Sequence, residues 1–258
     1  MMARTKLLTY IVLLCLTGCG GNDKPDPVSQ NCRVTEVPDL YFDSGSVTIV
    51  YDNQNRVSAI RQFSFDVFAF TYDAQGRITT FTVGTSQLEN LGNEVHTVTY
   101  DANGRIATIS AQENGRTTTA IPTYDAQNRI TKITVGGQAV LRNYYKRMEY
   151  DAAGNVTKVF VAEDDSPEEL QAEYKYDAKK SPFVGQPAFQ LIPLISMLVD
   201  KSHYLSVNNP VQYRDFGYGY TATYVYRNDL PAEMSLLLQE TGNPAVSNRK
   251  KVYSYACE

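Results

Sequence analysis

The chain has 258 residues, 43% hydrophobic and 20% charged, with 24 Lys and Arg against 28 Asp and Glu for a formal net charge of −4. That length suits one sheet-rich domain, and the composition excludes a disordered tract, a collagen and a disulfide-dense miniprotein. Without a basic excess, nucleic acid is not an expected partner.

The first element is an address. Arg4 and Lys6 precede an apolar core from Leu7 to Leu16, and Thr17-Gly18 stand before Cys19. A membrane-spanning helix needs about 20 apolar residues, so a core this short reads as the h-region of a signal peptide. Leu16-Thr17-Gly18-Cys19 resembles the bacterial lipobox, which is cleaved before a lipidated Cys; the alternative is an ordinary secretory signal with a coincidental Cys. The expected organisation is a signal peptide over 1–18, a flexible tether over 19–31 starting at lipidated Cys19, and one β domain over 32–258. Gly20, Gly21, Pro25 and Pro27 suit the tether. Each buried CH₂ of an acyl chain contributes about 0.8 kcal/mol, so the expected partner of the N-terminus is a membrane. Position 20 is Gly and not the Asp that retains some bacterial lipoproteins at the inner membrane, which points to the outer membrane.

Once Cys15 is removed and Cys19 lipidated, Cys32 and Cys257 remain, one at each end of the folded part. An oxidising envelope compartment permits a disulfide between them; the alternative is two unpaired thiols.

Next comes a repeat. Tyr51-Asp52-Asn53-Gln54-Asn55-Arg56-Val57, Tyr72-Asp73-Ala74-Gln75-Gly76-Arg77-Ile78, Tyr100-Asp101-Ala102-Asn103-Gly104-Arg105-Ile106, Tyr124-Asp125-Ala126-Gln127-Asn128-Arg129-Ile130 and Tyr150-Asp151-Ala152-Ala153-Gly154-Asn155-Val156 align, with a degenerate copy at Tyr176-Asp177-Ala178-Lys179-Lys180. Their starts differ by 21, 28, 24, 26 and 26 residues, the mark of a repeated supersecondary unit. Asp-Ala-x-Gly suits a type I turn followed by a residue at positive φ, as in a three-residue hairpin loop. Gly76, Gly104 and Gly154 hold that position, with Asn55 and Asn128 as the substitutes that tolerate it. The expected register sets Asp73 opposite Arg77, Tyr72 opposite Ile78 and Thr71 opposite Thr79. It stacks Tyr72, Tyr100, Tyr124 and Tyr150 in a column backed by Ile78, Ile106, Ile130 and Val156. Beyond the turns it sends Phe81, Ile109, Ile133 and Val159 to the opposite face, which implies a curled meander packed on different sides at its two ends.

After Tyr176 the pattern breaks. Pro187 to Val199 is the most apolar internal stretch, too short and Pro-interrupted to cross a bilayer, and reads as a short helical insertion near 187–200. Strands resume at Tyr218, where Tyr218, Tyr220, Tyr224 and Tyr226 share one face in period two. These four are a candidate stacking platform for a sugar, against the alternative of core packing. Arg227-Asn228-Asp229-Leu230-Pro231 turns the chain, and two further strands end it. The fold expected is all-β: a curled antiparallel meander of about 12–14 strands, a half-barrel or roll.

The Tyr-Asp-x-x-Gly-Arg-Ile unit resembles the YD repeat of the Rhs family, whose many copies build hollow shells around toxin cargo. The whole mature chain resembles a family of Bacteroidetes lipoproteins described as having a porin-like fold. That resemblance rests on Cys19, Cys32, the Tyr-Asp turns, Lys180-Ser181-Pro182-Phe183, Leu205-Ser206-Val207-Asn208-Asn209-Pro210 and Asn228-Asp229-Leu230-Pro231. Ser181 stands for the usual Asn and Val207 for the usual Lys. The resemblance implies a fold and no activity.

No nucleophile elbow, phosphate loop or dinucleotide fingerprint occurs, so neither an enzyme nor a cofactor is expected; a hydrolase is the remote alternative. His96 and His203 are the only histidines; His96 reads as a satisfied structural residue, and no zinc site is expected. Glu163 to Glu169 reads as a solvated acidic loop in preference to a calcium site. Two functions remain: a non-enzymatic, lipid-anchored envelope protein that binds a glycan, peptide or protein partner through its sheet, or a scaffold of envelope complexes with no small ligand. The expected register puts Lys132 and Lys158 on the Tyr face and Arg147 and Glu149 on the other. Neither face then suits lipid, so a water-soluble tethered sheet is expected in preference to a transmembrane barrel.

Overall fold

Each Tyr-Asp unit forms the turn its residues demand. In the second, the Gly76 N–H donates to the Asp73 carbonyl at 3.0 Å, and Asp73 Oδ1 accepts from the backbone N–H groups of Gln75 (3.0 Å) and Arg77 (2.8 Å). The residue after the type I turn lies at positive φ in all five complete units: Asn55 at 65°, Gly76 at 78°, Gly104 at 77°, Asn128 at 61° and Gly154 at 91°.

The computed structural model describes residues 32–38, 46–62, 65–84, 94–140, 142–196, 200–240 and 246–257. The signal segment, Cys19 and the tether lie outside the described residues. The strands are β1 (Cys32–Pro38), β2 (Ser46–Tyr51), β3 (Val57–Gln62), β4 (Phe65–Tyr72), β5 (Ile78–Val83), β6 (Glu94–Tyr100), β7 (Ile106–Glu113), β8 (Arg116–Tyr124), β9 (Ile130–Gly137), β10 (Tyr144–Tyr150), β11 (Val156–Glu163) and β12 (Glu169–Lys180). Helix α1 (Pro187–Ile195) and a 3-10 turn (Ser202–Leu205) precede β13 (Asn208–Asp215), β14 (Tyr218–Arg227), β15 (Leu230–Glu240), β16 (Val246–Val252) and β17 (Ser254–Cys257).

The protein is an all-β antiparallel meander with one short helix, as expected, but it has 17 strands among the described residues and curls further than a half-barrel. From β1 to β16 every strand pairs with the next in sequence. Only Tyr253 separates β16 from β17, and β17 pairs back onto β1. The meander is thus nearly closed into a barrel. Of the two forms expected, half-barrel or roll, the nearly closed one is found; the extent of closure is set by pairing between the two ends of the chain, which local sequence does not encode.

The register also departs from expectation. Tyr72 opposes Ile78, but Thr71 opposes Thr80, not Thr79. The same one-residue bulge follows Tyr51, Tyr100, Tyr124 and Tyr150. A bulge returns the following residues to the face they would otherwise leave. Phe81, Ile109, Ile133 and Val159 therefore join Ile78, Ile130 and Val156 in one inner core, each at most 7% exposed. Lys132 pairs with Arg147, and Lys158 with Glu149, all on the outer face. The expectation of two half-apolar faces is overturned: one face is core, and the other is mostly polar with scattered apolar side chains such as Val95, Ile121, Val225 and Leu237. In four of the five the skipped residue carries a hydroxyl: Ser58, Thr79, Thr131 and Thr157 each donate to the carbonyl across the bulge, on Val50, Thr71, Thr123 and Glu149, while Ala107 is skipped after Tyr100 without one.

A ring of about sixteen strands leaves a lumen that wall side chains alone do not fill. The sixth, degenerate Tyr-Asp unit supplies the filling. Tyr176 pairs with Pro210 and Lys180 with Asn208, so the hairpin loop is replaced by the whole excursion 181–207. A helix apolar around most of its circumference belongs in an interior, and Ala188, Phe189, Leu191, Ile192 and Leu194 of α1 are all buried. Lys146, on the inner face of β10, donates to the Ser196 carbonyl at the helix C-cap and faces Asp200 at 3.6 Å. Burial pulls the Lys146 ammonium below its ordinary range, with Asp200 opposing.

Candidate functional site

The Tyr-Asp units line one rim, and the contacts there explain each residue of the motif. Within a unit, Arg77 Nε donates to Asp73 Oδ2 at 2.8 Å; Arg56, Arg105 and Arg129 do the same to Asp52, Asp101 and Asp125. Between units, the Arg77 guanidinium lies 4.9 Å from the Tyr100 ring centroid, and the Tyr100 hydroxyl donates to the Ile78 carbonyl at 2.9 Å. Arg33 and Tyr51, Arg56 and Tyr72, Arg105 and Tyr124, and Arg129 and Tyr150 repeat this stack. Tyr51, Tyr72, Tyr124 and Tyr150 likewise donate to Val34, Val57, Ile106 and Ile130. Each unit is thereby fastened to the one before it by a stacked cation and a side chain-to-backbone hydrogen bond, each worth about 0.5–1.5 kcal/mol. Burial pushes the Tyr72 and Tyr124 phenols up to about 12, so they remain protonated donors.

The fifth unit carries Asn155 in place of Arg. Its Nδ2 still donates to Asp151 Oδ2 at 3.0 Å, while its Oδ1 accepts from the Val207 and Asn208 backbone N–H groups. The exchange docks the returning end of the inserted excursion. The sequence alone assigned Asn155 no role.

At this rim the N-terminal end of α1 leaves a cleft of 450 Å³ against the wall, lined among others by Arg77, Arg105, Arg129, Tyr124, Gln190 and Leu205. The guanidiniums are balanced by their own Asp partners, and Gln190 is, with Pro187, an exposed residue of the helix. The cleft thus offers fixed, nearly neutral hydrogen-bonding edges above an apolar floor. Cys32 begins β1 at the same rim, where the neighbouring Arg33 stacks on Tyr51, and a disulfide joins it to Cys257 at the β1–β17 seam.

The candidate Tyr platform is not a platform. Tyr220 is 4% exposed inside the barrel, Tyr224 donates inward to the Pro210 carbonyl, and Tyr226 bonds Asp177 and Asn209. Tyr224 and Tyr226 are half-buried, and Tyr218, 56% exposed, is the one that stands in solvent. Period two placed them on one face correctly, but barrel closure made that face the core. His96 lies at the opposite rim, stacked on Phe81 with centroids 4.6 Å apart. It is buried, as expected of a structural His, yet its Nε2 has no hydrogen-bond partner, so it is not satisfied. In the acidic run, Glu168 binds Arg147 through both oxygens and Glu163 pairs with Arg142. Among the described residues no group of three or more His, Cys, Asp or Glu is placed to hold a metal ion.

No curated protein matches the chain. Among solved structures it is similar to a porin-like protein from Bacteroides uniformis ATCC 8492, at 13% identity and TM-score 0.47 over 90% of this chain and 98% of that one. It is also similar to TcdB2-TccC3 without its hypervariable C-terminal region, at 15% identity and TM-score 0.27 over 80% of this chain but 12% of that one. The Teneurin YD-shell family model matches residues 36–223, from β1 into β14 and across every Tyr-Asp-Arg turn of the rim. With both the motif and most of its length accounted for by that model, the chain belongs to the Teneurin YD-shell family.

Proposed function

We propose that the protein is a non-enzymatic component of the bacterial cell envelope, anchored to the outer membrane by lipid on Cys19, that binds an envelope glycan or peptide at the YD rim. The observation that carries this reading is the 450 Å³ cleft between α1 and the Arg–Tyr pairs. Its polar edges are fixed in advance by Asp partners and stacked rings, which lowers the ordering cost of binding. The residues from Cys19 to Cys32 join β1 at that rim, and about 13 residues span at most about 45 Å, so the anchor keeps the cleft near the membrane surface. An outer face bearing Lys132, Arg147, Glu149 and Lys158 suits water, since a mid-membrane Arg or Lys costs a barrel about 2–4 kcal/mol.

Cys19→Ala should release the protein from the membrane fraction; unchanged fractionation with no lipid on the mass spectrum rules out the anchor. The released protein should bind on a glycan or peptide array, with Gln190→Ala weakening the signal at least tenfold. Binding indifferent to Gln190→Ala, or no binding at all, overturns the site.

The scaffold reading has one observation in its favour. Thr71, Thr80, Thr97, Ser110 and Thr119 are paired in succession across β4 to β8 on the outer face, a row of hydroxyls without a charge. A partner protein docking there would be lost from envelope pull-downs on Thr97→Glu, a change that leaves the rim cleft intact.

A further inference from the structure

We propose that the cavity between the barrel wall and the C-terminal end of α1, at the rim opposite the YD turns, binds a small neutral molecule with an apolar body and a single hydroxyl, of which phenol is the simplest. The cavity measures 210 Å³ and is lined among others by Ile109, Ala111, Ala120, Val135, Leu194 and His96, with Glu94 beside the histidine. Ala111 and Ala120 sit on the neighbouring strands β7 and β8, where Ala111 faces His96 and Ala120 faces Ile109 across the ladder. Two adjacent methyl side chains, in a wall whose other members are mostly Ile, Val and Leu with Thr118 and Tyr144, leave the space open. An apolar cavity of about 150 Å³ already accepts benzene, so this one has room for a ring and one substituent.

The polar end is specific. His96 is 6% exposed, its ring is held parallel to Phe81 at 2°, and its Nε2 makes no hydrogen bond. Glu94 Oε2 lies 3.5 Å away, at the outer edge of contact, and makes no aligned hydrogen bond to Nε2. Buried polar atoms in folded proteins nearly always have partners, and an orphan at a cavity wall calls for one. A ligand hydroxyl both donates and accepts, so it satisfies Nε2 whichever ring nitrogen carries the proton. Burial holds the imidazole below its ordinary range despite the Glu94 carboxylate, which keeps it uncharged. A carboxylate ligand would meet Glu94 at close range and be repelled. A hydrocarbon would fill the space but leave Nε2 unpaired, the situation in which sites built around a hydroxyl discriminate.

NMR titration of the mature protein with phenol, toluene and benzoate tests this. Phenol should shift the His96 imidazole resonances and bind at least tenfold more tightly than toluene, and benzoate should not bind. His96→Phe, which preserves stacking on Phe81, should equalise phenol and toluene. Ala120→Leu should abolish phenol binding, while Gln190→Ala, in the cleft at the other rim, should leave it unchanged. Equal binding of phenol and toluene by the unmodified protein, a His96 spectrum unmoved by phenol, or phenol binding that survives Ala120→Leu overturns the proposal. The first two readings need no variant to fold.

Discussion

Gly104 lies at φ +77° with no atom within 4 Å of where a Cβ would stand, so a side chain there meets a backbone cost and no steric one. Gly104→Val should destabilise by about 1–2 kcal/mol, because a β-branched residue is strongly disfavoured at positive φ. Gly104→Asn should be nearly neutral, as Asn55 and Asn128 already hold the same conformation. Urea unfolding of the two variants checks this, and equal stabilities would refute it. The carboxylates beside these turns make a second prediction. Asp52, Asp73 and Asp101 are held below the usual carboxylate range, foremost by the backbone N–H of Arg56, Arg77 and Arg105, with the guanidiniums adding to it. Groups depressed in the folded state stabilise it fully above their unfolded value of about 3.9 and lose that contribution as pH falls through the folded values. The urea midpoint should therefore drop on acidification below about pH 4, and Asp101→Asn should flatten part of that drop.

Helix α1 is the element whose role depends most on its surroundings. Its apolar residues announced a helix near 187–200, and one forms at Pro187–Ile195. What its sequence does not contain is its receptor, the inner face of β10, where Lys146 takes up the Ser196 carbonyl and faces Asp200. Asp200 is also held by the Tyr174 hydroxyl at 2.6 Å and Ser202 Oγ at 2.7 Å. Removing one member of a buried pair leaves the other uncompensated, so Lys146→Met should cost about 3–5 kcal/mol. Adding Asp200→Asn should recover part of that loss. Calorimetric unfolding of the single and double variants measures both, and a double variant no better than the single would refute the coupling.

At the scale of the whole molecule, the ends of the chain close the sheet. Cys32 and Cys257 face each other in the β1–β17 ladder and are joined across 225 residues of sequence. A cross-link over so long a loop restricts the unfolded chain, an effect worth up to about 5 kcal/mol. Replacing both cysteines by Ser should lower the thermal midpoint while leaving the near-UV circular dichroism of the folded state unchanged. A lost native spectrum would show instead that the disulfide is needed to hold β17 on β1.

The repeat determined by itself what depends on neighbours a few residues apart: the type I turns, the positive φ at Gly76, Gly104, Gly154, Asn55 and Asn128, and the Tyr-to-Ile pairing that follows. Those are set by φ preferences and by the reach of an Asp side chain, both local. In four of the five units the bulge was marked in the sequence too, by Ser58, Thr79, Thr131 and Thr157, but a hydroxyl there gains meaning only once the opposite carbonyl is in place, and Ala107 bulges without one. Tertiary structure alone decided which face of the sheet became the core. Pairing of β17 with β1 turned the Tyr220, Tyr224 and Tyr226 face inward and made α1 its filling. It also left one open cleft at the YD rim and one cavity beside His96. Such choices rest on contacts between residues some 200 positions apart, and burial, not local preference, selects among them.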